Sequence, residues 1–159
     1  MSASNFQIIF ATNSPNTFKS IHFQISKFAT PMKRILFVCI ENSNRSQMAE
    51  AFAHIYGQGK VEAYSAGSKA SGKVNPRAIE FMAELGYDLG THKSEHIDNI
   101  PAGEWEYVIS MGCGDDCPFV PAKVREDWQI PDPKHRTPEE FRIIRDFIGI
   151  KVKELLDKL

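Results

Sequence analysis

Nowhere in the 159 residues does an apolar run reach the ~18 residues that a membrane span requires, so a membrane-embedded chain is not expected. The sequence also lacks an excess of charge of either sign. Lys and Arg number 19 against 20 Asp and Glu, giving a formal net charge of -1, and the basic residues are scattered. Nucleic acids and anionic membranes call for clustered Lys and Arg, so neither is expected as a partner. Cysteine is scarce and odd in number: Cys39, Cys113 and Cys117. That excludes a simple secreted disulfide framework and fits a cytoplasmic protein whose thiols stay reduced and able to react. Residues 1–31 contain no Asp, Glu or Arg and no continuous apolar core, which excludes a good secretory signal. Rich in Ser, Thr, Asn and Phe, they read as a disordered or dispensable leader. An upstream start ahead of Met32 and an organellar transit peptide are the alternatives. Residues 32–159 are then one water-soluble domain, expected to be a monomer.

What is present from Lys33 onward is regular. "RILFVC" is a short continuous apolar run with β-branched members, the pattern of a strand buried on both faces of a parallel sheet. "SQMAEAFAHIYG" places Met48, Phe52 and Ile55 on one helical face, with Gly57 as the stop. "VEAYSAG" reads as a second strand. In "VNPRAIEFMAELG", Asn75 suits the N-cap, Pro76 the first helical position and Gly86 the stop, with Ile79, Met82 and Leu85 facing inward. "EYVISMG" and the shorter "REDWQI" complete the strands. Thr137 and Glu140 stand at capping-box spacing ahead of Phe141, Ile144, Ile148, Val152 and Leu155. Alternating strands and helices predict an α/β fold around a parallel sheet with right-handed crossovers.

In such sheets ligands bind beyond the carboxyl ends of strands, where a starting helix aims free N–H groups and the positive end of its dipole. "CIENSNRS" occupies that turn. Small polar residues allow the backbone of Ile40, Glu41, Asn42, Ser43 and Asn44 to wrap into a nest for a tetrahedral oxyanion, with Arg45 closing the ring through two parallel charge-assisted bonds. The same field favours a Cys39 thiolate, pulling the thiol below its usual value of about 8.5, and Ser46 can donate one further hydrogen bond to the sulfur. Cys39 is thus a candidate nucleophile under a bound oxyanion; the alternative is a buried strand-end cysteine.

Cys39, five residues and Arg45-Ser46 after the first strand of a small α/β chain resemble the low-molecular-weight protein tyrosine phosphatase superfamily. "NSNRSQMAEAF", "YSAGS", "NPRAIEFMAELG", "MGCGDDCP" and "EDWQIPDP" are more similar to its arsenate reductase branch, and the likeness spans Lys33 to Leu159. The resemblance implies a four-stranded parallel sheet flanked by helices, with a general-acid aspartate in an Asp-Pro pair after the last strand. Asp132-Pro133 matches, and its carboxylic acid would protonate the departing oxygen. It also implies a monovalent cation, such as K+, behind the loop at Asn42, Glu50, Ser65 and Glu95, and no tightly bound cofactor.

Phosphatase and reductase share nucleophile, loop and acid; they part once the Cys39 adduct exists. Hydrolysis needs only water, whereas reduction of arsenate to arsenite needs two electrons from thiols. Cys113 and Cys117 offer two more sulfurs at the end of the "EYVIS" strand. At i and i+4 of a helical turn they lie about 6 Å apart, within disulfide reach, with Gly112 and Gly114 giving the segment room to rearrange. The expectation is arsenate reduction with phosphate or sulfate as mimics, Cys113 attacking Cys39, and a Cys113–Cys117 disulfide left for thioredoxin, or for glutathione or mycothiol with a redoxin. Glu41 stands where many phosphatases have Gly, and "DPKH" lacks the tyrosine of the phosphatase slot. Hydrolysis of phosphomonoesters through a Cys39 phosphoenzyme is the alternative, and an oxyanion-binding module without chemistry is another. Cys113 and Cys117 with His92 and His96 also fall at zinc-ligand spacing. Otherwise His92, His96 and His135 read as solvent-facing, and Trp105 and Trp128 as partial core.

Overall fold

The computed structural model describes residues 31–159, so the leader expected over residues 1–31 lies outside the described residues but for Pro31. Strand β1 spans Lys33–Cys39, β2 Val61–Gly67, β3 Tyr107–Ser110 and β4 Val124–Asp127. All pair in parallel in the order β2-β1-β3-β4. With β1 central, its side chains alternate between two buried faces: Ile35, Phe37 and Cys39 join one core cluster, Leu36 and Val38 the other. That double burial is why "RILFVC" shows no polar alternation.

Helix α1 (Arg45–Tyr56), α2 (Pro76–Ala83) and α3 (Pro138–Leu156) all contribute to the larger cluster. Phe37, Phe52 and Phe141 are fully buried in it, and truncating any of them to Ala should cost about 3–5 kcal/mol. The smaller cluster holds Trp105 and Val108, with Ile97, Ile100, Cys117, Val120 and Ala122 against it. Irregular segments rather than helices therefore cover much of that face. Both tryptophans are buried.

The caps stand as the sequence predicts. Asn75 accepts a hydrogen bond from the Arg77 amide with Pro76 in the first turn, and Thr137 with Glu140 forms a reciprocal capping box. Phe141, Ile144, Ile148, Val152 and Leu155 are all buried. One inward assignment is overturned: Leu85 is 45% exposed. Helix α2 ends at Ala83, the chain turns through Gly86 at φ 78°, and Ala78, Phe81 and Met82 form the buried face instead.

Sequential strands lie on opposite sides of β1, which makes the carboxyl ends of β1 and β3 the switch point where such sheets bind ligands. Cys39 ends β1, and Cys113 follows β3 by three residues. Among the described residues, no helix is long and apolar enough to cross a membrane.

Candidate active site

The loop from Cys39 to Arg45 is shaped from outside. Its carbonyls are held outward: Lys69 N–H donates to Ile40 O at 2.8 Å, Ser71 N–H to Glu41 O at 2.9 Å and Asn75 N–H to Ser43 O at 2.9 Å. With the carbonyls drawn out, the amides turn in. The N–H groups of Glu41, Ser43, Asn44 and Arg45 find no acceptor among the described residues. Asn44 gives α1 no side-chain cap, so the helix start is open toward the same space. Asn44 Oδ1 is itself buried without a partner.

Gly67, ending β2, lets the loop lie this close: a Cβ there would stand 2.5 Å from Ile40 O and 2.9 Å from Asn42 N. Cys39 is 3% exposed. Its sulfur accepts from the Asn42 amide at 3.1 Å and lies 2.9 Å from Ser46 Oγ. Arg45 Nη1 donates to Met111 O at 2.8 Å and Ile130 O at 2.9 Å, tying β1's loop to the ends of β3 and β4. Its Nε and Nη2 keep donors free of any partner among the described residues. Cys39, Ile40, Glu41, Ser43, Asn44, Arg45 and Asp132 enclose a cavity of about 100 Å³. At roughly 30 Å³ per water, that is room for one small oxyanion.

Asn42 is the exception among the predicted loop residues. It does not line the cavity but sits fully buried beneath it at φ 48°, a left-handed conformation that Asn tolerates. Its Nδ2 donates to Ser46 Oγ and Ser65 Oγ, both at 2.9 Å, and its Oδ1 accepts from Gln47 Nε2 and the Glu95 amide. Gln47 is the residue that sequence reasoning missed. Its Nε2 also donates to Asn42 O and Lys93 O, which leaves Oε1 to accept from His92 Nδ1 at 3.0 Å. The Gln47 amide thus fixes the His92 tautomer with its proton on Nδ1, and Nε2 accepts from Tyr87 OH at 2.7 Å. The solvent-facing assignment of His92 is corrected: burial, then repulsion from His54, push it down to about 4, so it stays neutral. His96 bonds Ser68 O through Nε2 at 2.9 Å but keeps its side chain 41% exposed, and His135 is exposed. A polar residue on the buried arc of α1, one turn before Ala51, was the available signal for Gln47.

Asp132 reaches the cavity from the loop after β4, its Oδ1 accepting from the Lys134 amide at 3.0 Å. Arg77 grips the same loop through the carbonyls of Lys134 and Arg136 at 3.2 and 2.8 Å. Lys134 Nζ meets both Glu41 oxygens at 2.7 and 3.0 Å, and this hydrogen bond holds the Glu41 carboxyl below its ordinary range.

Cys113 and Cys117 are joined as a disulfide with Cα atoms 5.7 Å apart, across a short turn at Gly114–Asp116. Cys113 is buried and Cys117 half-buried. His92 and His96, the other two residues at zinc-ligand spacing, bond elsewhere, to Gln47 Oε1 and Ser68 O. Glu50, His54 and His92 do approach one another. Each ring nitrogen there already has a hydrogen-bonding neighbour, so the set does not fit a metal ion.

Of the four residues assigned to a monovalent cation, Glu50, Ser65 and Glu95 line one cleft of about 400 Å³. Asn42 Oδ1 is committed to Gln47 and the Glu95 amide, so it is not free to coordinate. Burial pushes Glu50 up to about 7, with the nearby Glu95 charge adding to it and the Ser65 hydroxyl opposing.

The family model described as low molecular weight phosphotyrosine protein phosphatase matches residues 34–159. A glutaredoxin arsenate reductase of Synechocystis sp. is 41% identical over 131 residues, covering 80% of this chain and 99% of that one. An arsenate reductase 2 of Staphylococcus saprophyticus is 41% identical over 130 residues, covering 79% and 97%. A solved structure described as an arsenate reductase in the phosphate binding state superposes with a TM-score of 0.72 at 40% identity, covering 80% of this chain and 98% of its own.

Proposed function

The chain belongs to the low molecular weight phosphotyrosine protein phosphatase family, and from that premise we propose that it reduces arsenate to arsenite through a Cys39 adduct and a Cys113/Cys117 relay. The observation that carries the reading is the disulfide at the end of β3, beside the strand that ends in Cys39. A hydrolase has no use for it.

Arsenate settles among the free amides of Glu41, Ser43, Asn44 and Arg45, with the Arg45 guanidinium taking two of its oxygens. Dihydrogen arsenate carries two O–H groups, one to donate to the unpartnered Asn44 Oδ1 and one on the oxygen that departs. The Cys39 thiolate, stabilised by the Asn42 amide and Ser46 hydroxyl, attacks arsenic. Asp132 protonates the departing oxygen, which leaves as water, and an S–As bond remains.

The Cys113 thiolate then attacks Cys39 Sγ. The S–As electron pair departs with arsenic, which falls from As(V) to As(III) and leaves as arsenite, while Cys39–Cys113 forms. Cys117 attacks Cys113, frees the Cys39 thiolate, and leaves Cys113–Cys117. Cys113 is the more buried of the two, which favours it as the inward attacker and Cys117 as the sulfur offered outside. An external dithiol restores both. The name of the Synechocystis relative supports a glutaredoxin-type donor with glutathione; thioredoxin is the other donor that would serve. A monovalent cation held by Glu50, Ser65 and Glu95 would neutralise the charge beneath the loop.

The test is arsenate-dependent NADPH oxidation with glutathione and glutaredoxin, compared with thioredoxin and its reductase. Cys39→Ser should abolish it, with at least about a thousandfold loss, together with any aryl phosphate hydrolysis. Cys117→Ser should stop turnover yet spare hydrolysis. Undiminished turnover in Cys117→Ser would overturn the relay.

A further inference from the structure

Two segments meet at the cavity: the anion loop contributes Glu41 to its lining and the acid loop contributes Asp132. Among the described residues, one ion pair bridges them: Lys134 Nζ to both carboxylate oxygens of Glu41, at 2.7 and 3.0 Å. Ser43 Oγ adds a hydrogen bond to Glu41 Oε2 at 3.2 Å. On the other side, the Lys134 amide holds Asp132 Oδ1 and the Lys134 carbonyl is held by Arg77. The pair therefore ties the second residue of the anion loop to the turn that carries the acid.

We propose that Glu41 and Lys134 form a strap across the pocket that reserves it for a free tetrahedral oxyanion and shuts out phosphate esters. This rests on the reading of Cys39 as nucleophile and Asp132 as acid. Asp132 must protonate whatever leaves, so an ester's organic group would have to exit beside Asp132, whose Oδ1 is held by the amide of the same Lys134 that pairs with Glu41. Water leaving from arsenate needs no such passage.

The strap also resolves a conflict of charge. A carboxylate at the rim of an anion site repels its ligand, and Lys134 cancels it, with both side chains about two-fifths exposed (39% and 42%). A pair so exposed is weak and screened by salt, so it acts as a bias on what enters and not as a rigid lid.

The experiment uses the full chain with inorganic phosphate and para-nitrophenyl phosphate as probes. Phosphate affinity is read from protection of Cys39 against alkylation, and ester use from kcat/KM. Lys134→Met should weaken phosphate protection roughly three- to fivefold by leaving Glu41 uncompensated, and Glu41→Gln in the same chain should restore it. A merely structural role for Lys134 would not be rescued by removing its partner. Glu41→Gly should raise ester kcat/KM by about tenfold. Failure of the rescue, or unchanged ester kcat/KM in Glu41→Gly, overturns the strap while the nucleophile reading stands. Ester hydrolysis that persists in the Cys39→Ser, Glu41→Gly double variant overturns the nucleophile reading and the strap with it.

Discussion

The two segments that carry the sulfurs differ in how the fold holds them. Around Cys39, residues 67–75 and 94–95 grip the loop by its carbonyls and by Asn42, and a buried amide network through Gln47 and His92 backs it. Around Cys113 and Cys117 the hold from outside is lighter: Gly112 N–H donates to Asp127 Oδ1 at 2.7 Å, and Lys69 pairs with Asp116 at 3.7 Å between exposed side chains. The turn closes on its own weak bonds, Asp116 N–H to Cys113 O at 3.2 Å and Cys117 N–H to Gly114 O at 3.4 Å. Beyond it Phe119 is 72% exposed beneath the Arg125 guanidinium. Oxyanion binding rewards donors fixed in advance, because none has to be ordered when the ligand arrives. Thiol exchange needs the reverse, since one sulfur must approach first Cys39 and then its neighbour. Rigidity and freedom are thus placed according to the step each segment serves.

The sharpest way to break this contrast is to disturb the rigid side with one methyl group. Gly67→Ala brings a Cβ against Ile40 O and Asn42 N, so the loop must shift. Arsenate kcat/KM should fall about a hundredfold, with about 1–3 kcal/mol lost in denaturant unfolding. A near-native rate would mean that the loop is not held as described.

Next in size is a pH effect beneath the loop. Folded protein keeps the Glu50 proton up to about pH 7, while the unfolded chain releases it near 4.5. The folded state binds the extra proton in that window, so stability falls as pH rises through it. Relative to Glu50→Gln, the wild type should lose on the order of 3 kcal/mol between pH 4.5 and 7.5 in cation-free buffer, and less in KCl. Unfolding midpoints that run parallel across that range would contradict it. Smallest is the matching substitution on the free side: Gly114→Ala places its methyl in open space at φ 54°. It should cost about 1 kcal/mol and leave phosphate affinity unchanged.

Local chemistry was legible where neighbours in sequence decide it. Asn75-Pro76 and Thr137 with Glu140 announce their helix starts because cap and partner lie within three residues. The doubly buried β1 follows from its apolar run, and the likeness that singles out Cys39, Arg45 and Asp132 is carried by contiguous motifs. What escaped depends on partners far along the chain. His92 looks like a polar loop residue until Gln47, 45 positions earlier, meets its ring. Glu41 looks like a liability at an anion site until Lys134, 93 positions later, neutralises it. Leu85 misled because helical spacing was extended past Ala83, where the chain had already begun to turn toward Gly86.

A single turnover without added reductant tests the central claim most directly. Fully reduced protein is mixed with one equivalent of arsenate, quenched by alkylation, and analysed for arsenite and for peptide disulfides. The account predicts one arsenite per chain, two thiols lost, a Cys113–Cys117 disulfide, and Cys39 recovered in alkylated form. Absence of arsenite, or arsenite released with Cys113 and Cys117 both still alkylated, would contradict it.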